Sequence, residues 1–102
     1  MKISSIVTAI FLLLSSQVNA GLSPEQQTAK EQGLILYNQF KATSAAPFLT
    51  VAAEAGDDES QYFLAEALRK KNHFMNSEAK KWYEAAASQG NLYAMIQLGR
   101  AG

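Results

Sequence analysis

The chain has 102 residues, nine Lys and Arg against nine Asp and Glu, and no cysteine. So even a balance offers none of the surplus positive charge on which nucleic-acid binding rests. The missing cysteines exclude a disulfide framework, so a core this small depends on helix packing or on a partner.

Residues 1–20 read as a secretory signal peptide. Lys2 gives a short positive start, residues 3–14 form an apolar run, and "VNA" at 18–20 offers small residues at both cleavage-determining positions. The run is too short for the roughly 20 apolar residues of a spanning helix. Cleavage after Ala20 leaves residues 21–102, an 82-residue domain with eight basic and nine acidic residues, and the expected location is periplasmic or secreted. No cysteine stands near the cleavage point, which excludes a lipoprotein anchor.

Ser23 is a helix cap, Pro24 suits the first helical position, and Gln26 stands where its side chain can bond back to the cap. Ala29, Gly33, Leu36, Tyr37 and Phe40 then mark one face of a first helix. Residues 43–47 read as a turn and a new start. Phe48, Leu49, Ala52 and Ala53 form the second stripe, closed by Gly56 as a left-handed C-cap. Asp57 caps a third helix running to about Arg69, with Leu64, Ala65 and Leu68 inward. Residues 69–77 read as a loop whose one hydrophobic plug is Phe74 and Met75. Asn76 or Ser77 caps a fourth helix, with Ala79, Trp82, Tyr83, Ala86 and Ala87 on one face and Gly90 at its end. Asn91 caps a fifth, which reaches about Gly99. No alternating β-branched run occurs after the leader, so the fold is all α.

The stripes repeat. A shift of 34 residues lays Ala45, Phe48, Leu49, Ala52, Ala53, Gly56 and Asp57 onto Ala79, Trp82, Tyr83, Ala86, Ala87, Gly90 and Asn91. It continues with Ser60 on Ala94, Leu64 on Leu98 and Ala65 on Gly99. A shift of 31 brings Ala29, Gly33, Leu34 and Tyr37 onto Ser60, Leu64, Ala65 and Leu68. Alanine and glycine stripes let antiparallel helices approach closely, and Trp82 and Tyr83 read as core that fills the space between them.

"WYEAAASQGNLYAMIQLG" at 82–99 resembles the core of a Sel-one-like repeat, a branch of the tetratricopeptide superfamily. That family's pattern is W-Y-x-K-A-A-x-x-G-x-x-x-A-x-x-x-L-G. Trp82, Tyr83, Ala86, Gly90, Ala94, Leu98 and Gly99 occupy its positions, while Ala85 stands at the usual lysine. The preceding copy, "FLTVAAEAGDDESQYFLA", matches more loosely. Lys71, Asn72 and His73 replace the usual glycine-rich turn. The resemblance spans residues 29–99. It implies a short α-solenoid of antiparallel helix pairs, about five helices with the last cut short, divided into a degenerate repeat (26–56), a repeat (57–90) and a partial one (91–102). It also implies a protein-binding adaptor without catalysis.

Chemistry-bearing clusters do not emerge from the spacing. His73 is the only histidine, and no second titratable group is tied to it, so it reads as a solvated loop residue. One histidine and scattered carboxylates make no metal site. "EAGDDE" at 54–59 lacks the ligand spacing of a calcium hand and reads as a cap followed by an acidic first turn. No phosphate-binding glycine loop occurs, and no cofactor is expected. Tyr62, Glu66 and Arg69 share the face of the third helix opposite Ser60 and Leu64. In tetratricopeptide-like stacks the first helix of each repeat lines the concave surface, and Tyr93, Ile96 and Arg100 would continue it. These six residues are the candidate partner-binding strip, for a protein or peptide. Self-association through the last helix is a further expectation, and no stable membrane anchor is expected after cleavage. Three other readings stand beside the adaptor: a periplasmic immunity-type inhibitor of a toxin, a small cell-wall or antibiotic hydrolase, and a remnant of a longer repeat protein. The hydrolases of this kind are cysteine-rich, unlike this chain.

Overall fold

The computed structural model describes residues 21–101; the expected leader, residues 1–20, lies outside them. Among the described residues there are five helices and no strand: α1 (Pro24–Asn38), α2 (Ala42–Glu54), α3 (Asp58–Asn72), α4 (Ser77–Ser88) and α5 (Leu92–Ala101). Each packs on its neighbour in chain order, and α1 also reaches α3. Turns this short make consecutive helices antiparallel, so the molecule is a short helical stack. No helix among the described residues is long and apolar enough to cross a membrane.

The caps form as the residues dictate. Ser23 and Gln26 make a reciprocal capping box. Asp57, Asn76 and Asn91 each accept the amide three residues on, from Ser60, Ala79 and Ala94, all at 2.9 Å. Asp57 is also bonded by the Ser60 hydroxyl and by Lys30. Burial alone would raise its carboxyl pKa, but these partners outweigh that and hold it below the usual carboxylate range.

The 34-residue repeat is visible atom by atom. Gly56 and Gly90 take φ of 99° and 93°, a left-handed backbone that a Cβ disfavours. Gly56 donates to the Ala53 carbonyl at 3.0 Å, and Asp57 to Ala52 at 3.1 Å. Gly90 donates to Ala87 at 2.9 Å, and Asn91 to Ala86 at 3.1 Å. Both helix ends are therefore Schellman turns of one design. The two turns are also joined: Gln89 donates to the Gly56 carbonyl and to Gln61, and Asn91 donates to Asp58.

The core is built from small residues around a few large ones. Ala45, Leu49, Ala53 and Leu64 form one buried cluster, while Ala65, Ala79, Tyr83, Ala86 and Ala94 form the next. Leu49, Leu64 and Tyr83 are among the largest fully buried side chains, each worth roughly 1.5–3 kcal/mol of transfer free energy. Gly33 lies flat against α2, and a Cβ there would stand 2.7 Å from Leu49 Cγ.

Four local expectations are corrected. Residues 43–47 are helical, because α2 starts at Ala42 and carries Pro47 inside it. Pro47 is exposed, so the amide it lacks is forfeited on the solvent side of the helix. Next, α3 runs to Asn72 rather than Arg69, since Arg69, Lys70 and Lys71 favour the negative end of the helix dipole. Phe40 is not on the inner face of α1. The helix ends at Asn38 and Phe40 sits in the turn beyond, 94 % exposed. The plug at 74–75 is half right: Met75 packs on the core, while Phe74 is 64 % exposed.

Candidate functional site

The strip read from the sequence divides into two groups with different work. Glu66, on the middle of α3, is only 6 % exposed. Its carboxylate accepts from Tyr83 Oη of α4 at 2.5 Å and from Tyr37 Oη of α1 at 3.2 Å. One turn along α3, Arg69 Nη2 reaches both carboxylate oxygens at 3.1 and 3.2 Å. Arg69 Nε donates to Tyr83 Oη at 2.9 Å, closing the ring. A buried carboxylate is tolerated when its charge is paired and its lone pairs are filled, and both conditions hold here. No buried side-chain polar atom among the described residues lacks a partner. Burial, and then the Glu66 carboxylate, raise the Tyr83 hydroxyl pKa. The same causes push Tyr37 up to about 12. Glu66 and Arg69 thus tie three helices together.

The other four strip residues face outward or half outward. Tyr62 is half-buried, edge-on to Tyr83 at 6.0 Å and tilted against Tyr93 at 5.8 Å. Phe63 and Tyr37 extend this aromatic line to α1, with centroids 5.0 Å (Tyr62–Phe63) and 5.1 Å (Tyr37–Phe63) apart. Neither belonged to the strip as read from the sequence. Phe63 lies one position from Tyr62, and only the proximity of α1 to α3 brings it onto the same surface. Tyr93 and Ile96 on α5 are 68 % and 55 % exposed. Arg100 shares a small open cleft of about 270 Å³ with Arg69, Met75 and Gln97.

An open cleft of about 450 Å³ runs beside the aromatic line, between Tyr62, Phe63 and Tyr93 on its apolar wall and Asp58 and Glu59 at its rim. Lys30 pairs with Glu59 at 2.9 Å. Asp58 meets Asn91 at 3.2 Å. The arrangement presents ring faces and edges to solvent, beside carboxylate oxygens. That suits an apolar or aromatic side chain flanked by a base, through stacking and cation–π contact. Among the described residues no group of three or more His, Asp or Glu is placed to hold a metal ion.

No family model, curated protein or solved structure matches this chain.

Proposed function

We propose that this is an exported Sel-one-like repeat protein that binds another protein through its concave strip and performs no catalysis of its own. One observation carries the reading. The aromatic line of Tyr37, Phe63 and Tyr62 continues onto Tyr93, and Tyr93 and Ile96 stand exposed at the point where α5 opens the surface to solvent. Exposed aromatic side chains lining a cleft, with an exposed aliphatic side chain on the same helix, are what interface anchors are made of. The Sel-one-like pattern at 82–99 and the identical helix ends at Gly56 and Gly90 support the repeat reading. The partner segment is an apolar or aromatic side chain with a neighbouring base, which the acidic rim would favour.

The test is affinity capture from a periplasmic extract with the unaltered protein and with Tyr93→Ser/Ile96→Ser. Val51→Ser, at an exposed position of α2, is the surface control. A discrete protein held by the unaltered chain and by the Val51 variant, and lost by the double variant, is the expected result. Equal capture by all three refutes the strip. Leu92 and Met95 leave a second side of α5 exposed, which favours self-association as a further use of this helix. Sedimentation velocity over a concentration series reads it directly, and a constant sedimentation coefficient excludes it.

A further inference from the structure

The two edges of the stack differ in kind. The α2–α3 and α4–α5 turns, on one edge, carry glycine at the left-handed position followed by Asp57 or Asn91. The α1–α2 and α3–α4 turns, on the opposite edge, carry Phe40 and His73 at left-handed φ of 63° and 65°. The turn after α1 has the same hydrogen bonds as those after α2 and α4: Phe40 donates to Tyr37 and Lys41 to Leu36. Phe40 thus stands where the other two turns have glycine. A phenylalanine there bears backbone strain and is 94 % exposed, so no packing offsets its cost. Phe74, beside His73, is exposed on the same edge.

Between these turns an open cavity of about 600 Å³ is lined by Tyr37, Phe40, Lys41, Lys70, Lys71 and His73, with the Thr43 and Ser44 hydroxyls at its side and no acidic residue. Among the described residues, none of the three lysines is ion-paired. Lys70 Nζ is held 4.6 Å over the Tyr37 ring. The first turn of α2, which enters the cavity, has no side-chain cap. Lys80 and Lys81 near the start of α4, and Arg100 in the last turn of α5, continue the positive charge along this edge, with Glu78 as an interruption. Apart from Lys30, which pairs with Asp57 and Glu59, and Arg69, which pairs with Glu66, the cations of the described residues therefore stand along one edge, with two exposed phenylalanines among them.

We propose that this edge docks peripherally on an anionic phospholipid surface. The cavity takes the phosphate of a headgroup, and Phe40 and Phe74 enter the interfacial layer. Lysines near an anionic bilayer attract it electrostatically while aromatic rings partition into the headgroup region, and the two contributions together suffice for reversible binding. Arg100 and Tyr37 border both surfaces, but Tyr93 and Ile96, which carry the partner-binding reading, lie outside the cavity, so the two readings can fail separately.

Vesicle flotation tests this, using protein as isolated from the cell, with the same verified N-terminus in every variant. The unaltered chain floats with phosphatidylglycerol-containing vesicles, not with pure phosphatidylcholine, and is released by salt. Lys70→Gln/Lys71→Gln weakens partitioning about 25-fold, at about fivefold per lysine. Phe40→Asn weakens it while leaving the melting temperature unchanged or higher, because asparagine tolerates the left-handed backbone. Equal binding to both vesicle types, or variants that bind like the unaltered chain, overturns the proposal. So does saturable binding of inorganic phosphate at the cavity without vesicle association, which would make it a site for free phosphate.

Discussion

Tyr83→Phe removes one oxygen from the interior and separates structural from binding roles in the strip. That oxygen donates to Glu66 and accepts from Arg69, and the ring around it is fully buried. The phenyl ring fills nearly the same volume, so no cavity opens. What is lost is one charge-assisted hydrogen bond to a carboxylate and the acceptor of a guanidinium nitrogen. Hydrogen bonds to charged groups are worth about 1.5–3 kcal/mol. Arg69 and Tyr37 still bond Glu66, so its charge stays paired and the lower half of that range applies, about 1.5–2 kcal/mol. For a domain of this size that is a fall in Tm of roughly 6–16 °C. Differential scanning calorimetry or a far-ultraviolet circular dichroism melt measures it. Partner capture per folded molecule stays unchanged, because Tyr83 is itself fully buried and reaches the strip only through Tyr62 and Arg69, which both remain. A Tm within a degree of the unaltered protein would refute the claim that the Glu66 network holds the stack together.

Three more outcomes follow from particular positions. Gly33→Ala lowers stability by about 1–3 kcal/mol despite alanine's better helix propensity, because the new Cβ meets Leu49 Cγ at 2.7 Å and the Leu49 amide nitrogen at 3.1 Å; denaturant titration reads the midpoint. Phe40→Gly raises stability by about 1 kcal/mol by relieving the left-handed backbone, measured the same way. Burial, then the Glu66 carboxylate, push Tyr37 and Tyr62 up to about 12 from 10. The unfolded chain therefore loses these protons first, so their contribution is whole below pH 10 and is lost as pH rises to about 12. Phenolate absorbance should show Tyr37, Tyr62 and Tyr83 all titrating late, and melts over that range should fall steeply. Ordinary titration of every tyrosine near 10 would contradict this.

The scaffold was largely legible because its signals are local. Ser23, Asp57, Asn76 and Asn91 bond amides three residues away, and Gly56 and Gly90 take a backbone conformation that their own lack of a Cβ permits. The 34-residue period followed from those positions together with the alanine stripes. Where the reading failed, the deciding contact was remote or the pattern ran past a terminus. Phe40 fits the α1 periodicity, yet the helix stops two residues earlier in a Schellman turn. Glu66 reads as a surface carboxylate, since nothing nearby in sequence indicates that hydroxyls 17 and 29 residues away will converge on it. Two of the six strip residues, Glu66 and Arg69, therefore form an internal tie and the other four face outward or half outward, a distinction that only packing draws. The lysine-lined cavity is similarly hidden, because Lys41, Lys70 and His73 are brought together by the antiparallel return of the chain.

The central claim is that partners are met through the α5 end of the concave strip. Site-specific photocrosslinking in living cells tests it most directly, with a photoreactive residue placed at Ile96 of α5 and, separately, at Val51 of α2, both exposed. The account predicts a discrete protein adduct from position 96 and none from position 51. No adduct at 96, or the same adduct from both positions, would contradict it.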